Sequence, residues 1–242
     1  MTTLTMQQIT DALKGAIATH QGAVDYLEIR VQQSESTSLA FRGAQFDGSN
    51  RSFALAGGIR ACHQGGWSFV TFNGLAELGD RVAEAVSQAK LVGKESTQLA
   101  PSGAIEDYVP VEIKTDPRTI SLKEKRDLLA KYNQILLDYD PRIQTTMASI
   151  SDSFVTTYFV NSNGSCIIQE RLDVNGRFGA IARGENGVVR QGFESINSRC
   201  DFDALIGIEE RVKGAAERAI RQLEAKPVKG GQYTVVLDPY LA

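Results

Sequence analysis

At 242 residues the chain has room for one large domain or two of ordinary size, and 42% hydrophobic against 23% charged residues is the balance of a globular protein. A net charge of −3, from 26 Lys+Arg against 29 Asp+Glu, argues against a nucleic-acid-binding module. No stretch reaches the ~18 apolar residues of a membrane-spanning helix, and MTTLTMQQITDALKGAIATHQG lacks the basic region and apolar core of a signal peptide. The expectation is a cytoplasmic protein whose Cys62, Cys166 and Cys200 are free thiols.

In chain order, Thr5-Met-Gln-Gln8 is a capping box, and Met6, Ile9, Leu13 and Ile17 follow at helical spacing, which predicts a helix over about 5–19. Next, Leu27, Ile29 and Val31 alternate with Tyr26, Glu28 and Arg30. Gly43, Asp47-Gly48, Gly57-Gly58 and Gly65-Gly66 punctuate the stretch that follows. Four antiparallel strands are expected, over 24–35, 37–46, 52–63 and 67–72, with a tight hairpin at 63–66. Leu75, Leu78, Val82, Val86 and Ala89 mark a second helix, completing an α-ββββ-α unit over 1–95.

Residues 96–120 hold Pro101, Pro110 and Pro117 with little periodicity and read as a linker or extended crossing segment. Ser121-Leu-Lys-Glu124 is a second capping box, and its helix carries Leu122, Leu128, Leu129, Tyr132, Ile135, Leu136 and Tyr139. Strand patterns return at TTMASISDS, FVTTYFV, SCIIQERLDV, NGRFGAIARG and VVRQGFES, with turns at NSNG and RGENG. Asp201-Phe-Asp203 is expected to open a long helix to about Leu223. The second α+β unit is thus placed at 121–225, and 226–242 reads as a linker and the first strand, 233–237, of a further domain. The fold class is α+β, with two helix-flanked antiparallel sheet units.

No catalytic constellation emerges. The glycine-rich pieces match neither GxGxxG nor GxxxxGK[ST]. Cys62 and His63 are adjacent on a strand and point to opposite faces, so they cannot easily form a nucleophile–base pair or share a metal. His20 sits at a helix C-terminus, where a cation suits the dipole. Glu209, Glu210, Arg211 and Arg218 read as a solvated helix face. Trp67, the only tryptophan, follows Gly-Gly on a strand, either as a sheet anchor or as an aromatic at a substrate or subunit surface.

The stretch GGIRACHQGGWSFVTFNGLAELGDRVAEAVSQAKLVG (57–93) resembles a segment of the TldD/PmbA family, the "modulator of DNA gyrase" family. Gly58, Arg60, Gly65 or Gly66, Phe69 and Thr71 match its pattern, while Ser68 and Val70 stand where the family usually has Gly and Ala. VTTYFVNSNGSCIIQE, AIARGENGVVRQGFES and YTVVLDPYLA are similar to later segments, in the same order. The resemblance implies the N-terminal region of a zinc-dependent peptidase acting on peptides or unfolded segments. Its zinc would be bound by a His-Glu-x-x-x-His helix following LDPYLA, with metal-activated water as attacking group and the motif's glutamate as general base. This chain has neither catalytic nor metal-binding residues of that motif. It is expected to be inactive alone, to serve substrate access and subunit assembly, and to form homo- or hetero-oligomers with a family partner. Arg60, Trp67 and Phe69 are the expected substrate or subunit contacts. The alternatives are a non-catalytic partner subunit or interaction module of the same family, separated from the first reading by whether His-Glu-x-x-x-His follows, and an independent binding domain ending at residue 242. Residues 233–242 are expected to be poorly ordered or to pair with an available edge.

Overall fold

A computed structural model describes residues 4–95, 99–226 and 229–239. The elements run α1 (Met6–His20), β1 (Tyr26–Arg42), β2 (Gln45–His63), β3 (Gly66–Asn73), α2 (Leu78–Val92), β4 (Glu106–Val109), α3 (Leu122–Leu137), β5 (Ile143–Asn161), β6 (Cys166–Arg183), β7 (Val189–Ser198) and α4 (Glu209–Leu223). The α+β class holds, but the two sheet units are one seven-stranded sheet in the order β3-β2-β1-β5-β6. The far side of β6 is shared by β4, its one parallel neighbour, and antiparallel β7.

The sheets fuse because β1 and β5 are single long strands that pair from Glu28↔Asn161 to Arg42↔Met147. The expected strands break near 36 and 153, yet these residues lie mid-strand, and Ser36 Oγ donates to Ser153 Oγ at 2.9 Å. Likewise the β1–β2 turn falls at Gly43-Ala44, within an expected strand, while Asp47-Gly48 lies inside β2. A register shift at Ala40/Phe41 and Gly48 at φ 138° absorb the irregularity there.

All four described α-helices cover one face of the sheet. At one end, Ile9, Leu13 and Ile17 of α1 and Val82, Val86 and Ala89 of α2 pack on Leu27, Ile29, Val31, Ile59 and Val70. At the other, Leu129, Tyr132 and Leu136 of α3 and Val212, Ala216 and Ala219 of α4 pack on Leu39, Ile150, Val174 and Phe178. Between these cores the covered face turns polar, and there Lys125 of α3 meets Asp152 of β5 at 2.5 Å. Arg118 lays its guanidinium 3.7 Å from the centre of the Phe154 ring beside that polar saddle. The expected linker therefore does more than connect: its four-residue β4, too short to show alternation, joins the sheet, and Pro117–Thr119 forms a 3-10 turn.

Both capping boxes form, at Thr5/Gln8 and Ser121/Glu124. The hairpin at 63–66 also forms, with Gln64 and Gly65 at φ 45° and 76°, as a type I′ turn requires. The last helix starts later than expected. Asp203–Leu205 is only a 3-10 turn, and left-handed Gly207 (φ 72°) separates it from α4. Arg211 and Arg218 are not a merely solvated face, because both donate to Glu194 of β7, at 2.5 and 2.6 Å. Burial alone would raise the Glu194 carboxyl, but the two arginines outweigh it and hold it below its usual range. The expected closing strand does not form: 233–237 pairs with no strand, and Val236 is 94% exposed. The rest of the expected edge pairing, 240–242, lies outside the described residues.

Candidate functional site

No described element covers the face opposite the helices, and alternation decides what that face displays. On β1 the odd positions Leu27, Ile29 and Val31 go under the helices, so Tyr26, Glu28 and Arg30 go outward. On β3, Ser68 and Val70 face α2, so Trp67 and Phe69 go outward, 41% and 64% exposed. Pairing sets Arg60 opposite both Glu28 and Phe69, and Trp67 opposite Cys62.

The three residues singled out from the sequence therefore share one surface. The Arg60 guanidinium lies 4.7 Å from the centre of the Trp67 ring, within cation–π range. Its Nη1 donates to Glu28 Oε1 at 3.2 Å. Tyr26 packs edge-on against Trp67, with ring centroids 6.0 Å apart, and its hydroxyl donates to Glu28 Oε2 at 2.7 Å. Burial, then the Glu28 carboxylate, pushes the Tyr26 phenol up to about 12. Glu28 is thus held from two sides, and it holds Arg60 over the indole. Phe69 sits over Gly58, where an added Cβ would come within 2.8 Å of the ring and would push the ring aside.

Sequence reasoning missed Tyr26, Glu28 and Arg30 as members of this surface, though their outward alternation was visible. The missing step was the pairing of Glu28 with Arg60, 32 residues away. A groove of about 500 Å³ runs between Phe69, Arg60, Glu28 and Arg30 with Gly57 and Gly58 in its floor. Further along the same face, Ser38, Ser149, Ser151, Asn175 and Arg177 line a polar trough of about 590 Å³.

Among the described residues, no three His, Cys, Asp or Glu side chains converge to hold an ion. His20 Nδ1 lies 3.3 Å from the Ala16 carbonyl on its own helix. Cys62 is buried beneath this surface, and burial raises its thiol further from reactivity. No described helix is long and apolar enough to cross a membrane.

Comparison with known proteins gives this geometry a lineage. Residues 27–91 match the family model "PmbA/TldA metallopeptidase domain 1", and residues 115–226 match "PmbA/TldA metallopeptidase central domain". A metalloprotease of Synechocystis is 36% identical over 239 residues, covering 98% of this chain and 51% of the relative. A metalloprotease of Methanocaldococcus jannaschii is 27% identical over 223 residues, covering 90% and 49%. Among solved structures, a candidate modulator of DNA gyrase from Bacteroides thetaiotaomicron superposes with TM-score 0.80 at 18% identity, over 96% of this chain and 53% of that one. TldE from Thermococcus kodakarensis gives 0.67 at 16% identity, over 88% and 47%. The structural likenesses establish the fold. The chain spans about half the length of the curated relatives it matches. With two family models together covering most of its residues, the chain belongs to the PmbA/TldD metallopeptidase family.

Proposed function

We propose that this chain is the N-terminal region of a zinc-dependent peptidase of the TldD/PmbA type that acts on peptides or unfolded segments. In this reading its role is substrate access and subunit contact, and the zinc and its ligands belong to residues beyond those described here. The reading is supported by both family models, which are of metallopeptidase domains.

The observation that carries the role is the ordered Arg60–Trp67–Phe69 surface. A tryptophan 41% exposed and a phenylalanine 64% exposed are held on paired strands, with the arginine fixed by Glu28. Rigid aromatic and arginine side chains presented this way are what binding hot spots are made of. The test is to substitute Arg60, Trp67 and Phe69 by alanine in the full-length parent and to measure peptide cleavage and oligomer mass. Loss of cleavage or assembly with folding intact is expected. Unchanged cleavage and assembly would overturn the role, and stoichiometric zinc or peptidase activity in the 242-residue chain alone would overturn the division of labour.

A further inference from the structure

We propose that the groove between Arg30 and Phe69 receives the carboxylate of an Asp or Glu side chain carried by an extended peptide. This rests on the reading of the open face as a peptide-facing surface, and it specifies which peptides that surface prefers.

The argument begins with charge. The groove holds two arginines and one carboxylate. Glu28 is already satisfied, since Oε1 accepts from Arg60 and Oε2 accepts from Tyr26, and its side chain is only 15% exposed. Arg60 is therefore neutralised. Arg30 is not: among the described residues it has no carboxylate partner, and its guanidinium rests 5.7 Å from the centre of the Phe159 ring. One positive charge is left over, on the residue type whose planar fork accepts a carboxylate through two parallel hydrogen bonds.

Space comes next. Arg30 stands opposite Gly58 on β2 and Phe159 on β5. Gly58 contributes no side chain of its own, and the Phe69 ring lies over it and forms that wall of the groove. Gln32, the next outward residue of β1, adds an amide at the rim. Flanking rings reduce water around the charge, which strengthens a carboxylate contact over a bare surface pair.

The shape of the site selects an internal side chain over a chain end. Here β1 is paired on both sides, by β2 and β5, and β2 by β1 and β3. Their backbone N–H groups are committed to the sheet, and none is left to cradle a terminal carboxylate.

Trp67 is the only tryptophan, and it touches Arg60 in the groove wall, so its emission reports occupancy. The 242-residue chain is titrated with three neutral-bodied extended peptides. One has blocked ends and a central Asp, one has blocked ends and a central Asn, and one has the Asn with a free C-terminal carboxylate. The Asp peptide is expected to bind at least about tenfold more tightly than its Asn isostere, as a charge-assisted pair should. The difference should shrink as salt rises. Arg30→Gln should erase the preference, and Arg30→Lys should keep part of it, with circular dichroism showing both variants folded. Equal binding of Asp and Asn peptides, no binding of any peptide, or an Asp preference that survives Arg30→Gln would overturn the proposal. Tight binding of the free-carboxylate Asn peptide would overturn the choice of an internal side chain. All readouts are binding to this chain, so they stand apart from the cleavage and assembly results that test the parent.

Discussion

Lys125 Nζ lies 2.5 Å from Asp152 Oδ2, with 2% and 3% of the two side chains exposed. The pair sits in the polar saddle between the two apolar cores, on the helix-covered face. Asp152 stands opposite Thr37 on β1 and Val174 on β6, and the Phe202 ring lies 5.8 Å from the ammonium. A charge this deep is tolerable only with its partner, because desolvation of either ion alone costs several kcal/mol. Lys125→Met should therefore destabilise by about 3–5 kcal/mol, read as a lowered midpoint of urea unfolding. Lys125→Met combined with Asp152→Leu should recover much of the loss, since no buried charge is then left alone. A single-variant loss no larger than that of an exposed salt bridge would show that water reaches Asp152.

Gly192 shows how closely β7 and α4 approach. A Cβ there would fall 2.1 Å from the Ala215 carbonyl oxygen and 2.7 Å from the Ala219 nitrogen. These are backbone atoms of a packed helix, so they cannot swing aside as a flexible side chain would. Gly192→Ala should cost about 3 kcal/mol by overpacking, whereas Gly214→Ala on the same helix, whose Cβ would meet only Arg218 Nη1 at 3.5 Å, should be neutral or slightly stabilising through helix propensity. Thermal melts of the two variants make the comparison, and equal losses would refute the steric account.

The helices were legible in sequence because each carries a local signature. Thr5/Gln8 and Ser121/Glu124 announce their own starts, and stripes such as Ile9-Leu13-Ile17 need no distant partner to be seen. The sheet was not legible in the same way. The expected strand bounds fell near Ser36 and Ser153, and only the pairing of β1 with β5 shows that both belong mid-strand. The site fell between these cases. Arg60, Trp67 and Phe69 stand close in sequence and share one surface, while Glu28, which positions Arg60, and Arg30 join that surface only through register. Residues 233–237 show the converse limit: β-rich composition makes a strand only when an edge receives it.

The 63–66 hairpin contains an improvable position. Gln64 takes φ 45°, the one positive value outside glycine among the described residues, in a turn that demands it. Left-handed backbone costs an ordinary L-residue about 1–2 kcal/mol, and asparagine tolerates it better. The Gln64 backbone is anchored, its N–H donating to Asp25 Oδ2 and its carbonyl accepting from Lys94 and Glu95, and none of these bonds uses its side chain. Gln64→Asn should thus stabilise by about 0.5–1 kcal/mol, as a raised urea midpoint at constant slope. A lowered midpoint would mean that the glutamine side chain supports the turn in some further way.

The last prediction concerns alkaline pH. Burial and the Glu28 hydrogen bond push the Tyr26 phenol up to about 12, and burial does the same to Tyr158. A pKa raised by folding means that the folded state keeps the proton more tightly than the unfolded chain, where tyrosine ionises near 10. The stability linked to it is therefore complete below about pH 10 and is lost as pH climbs through 12. Tyr26→Phe removes the hydroxyl that Glu28 accepts from, so at neutral pH the variant should be about 1 kcal/mol less stable. Between pH 10 and 12 that deficit should close, because the unfolded wild-type chain then gains by ionising its tyrosine while the folded phenol still holds its proton. Urea unfolding of both proteins across that range follows the gap, and tyrosinate absorbance should show one fewer late-ionising group in the variant. A deficit that stayed constant from neutral pH to 12 would show that Tyr26 ionises no later in the folded protein than in the unfolded chain, and the hydroxyl would not be the clasp that holds Glu28 beneath Arg60.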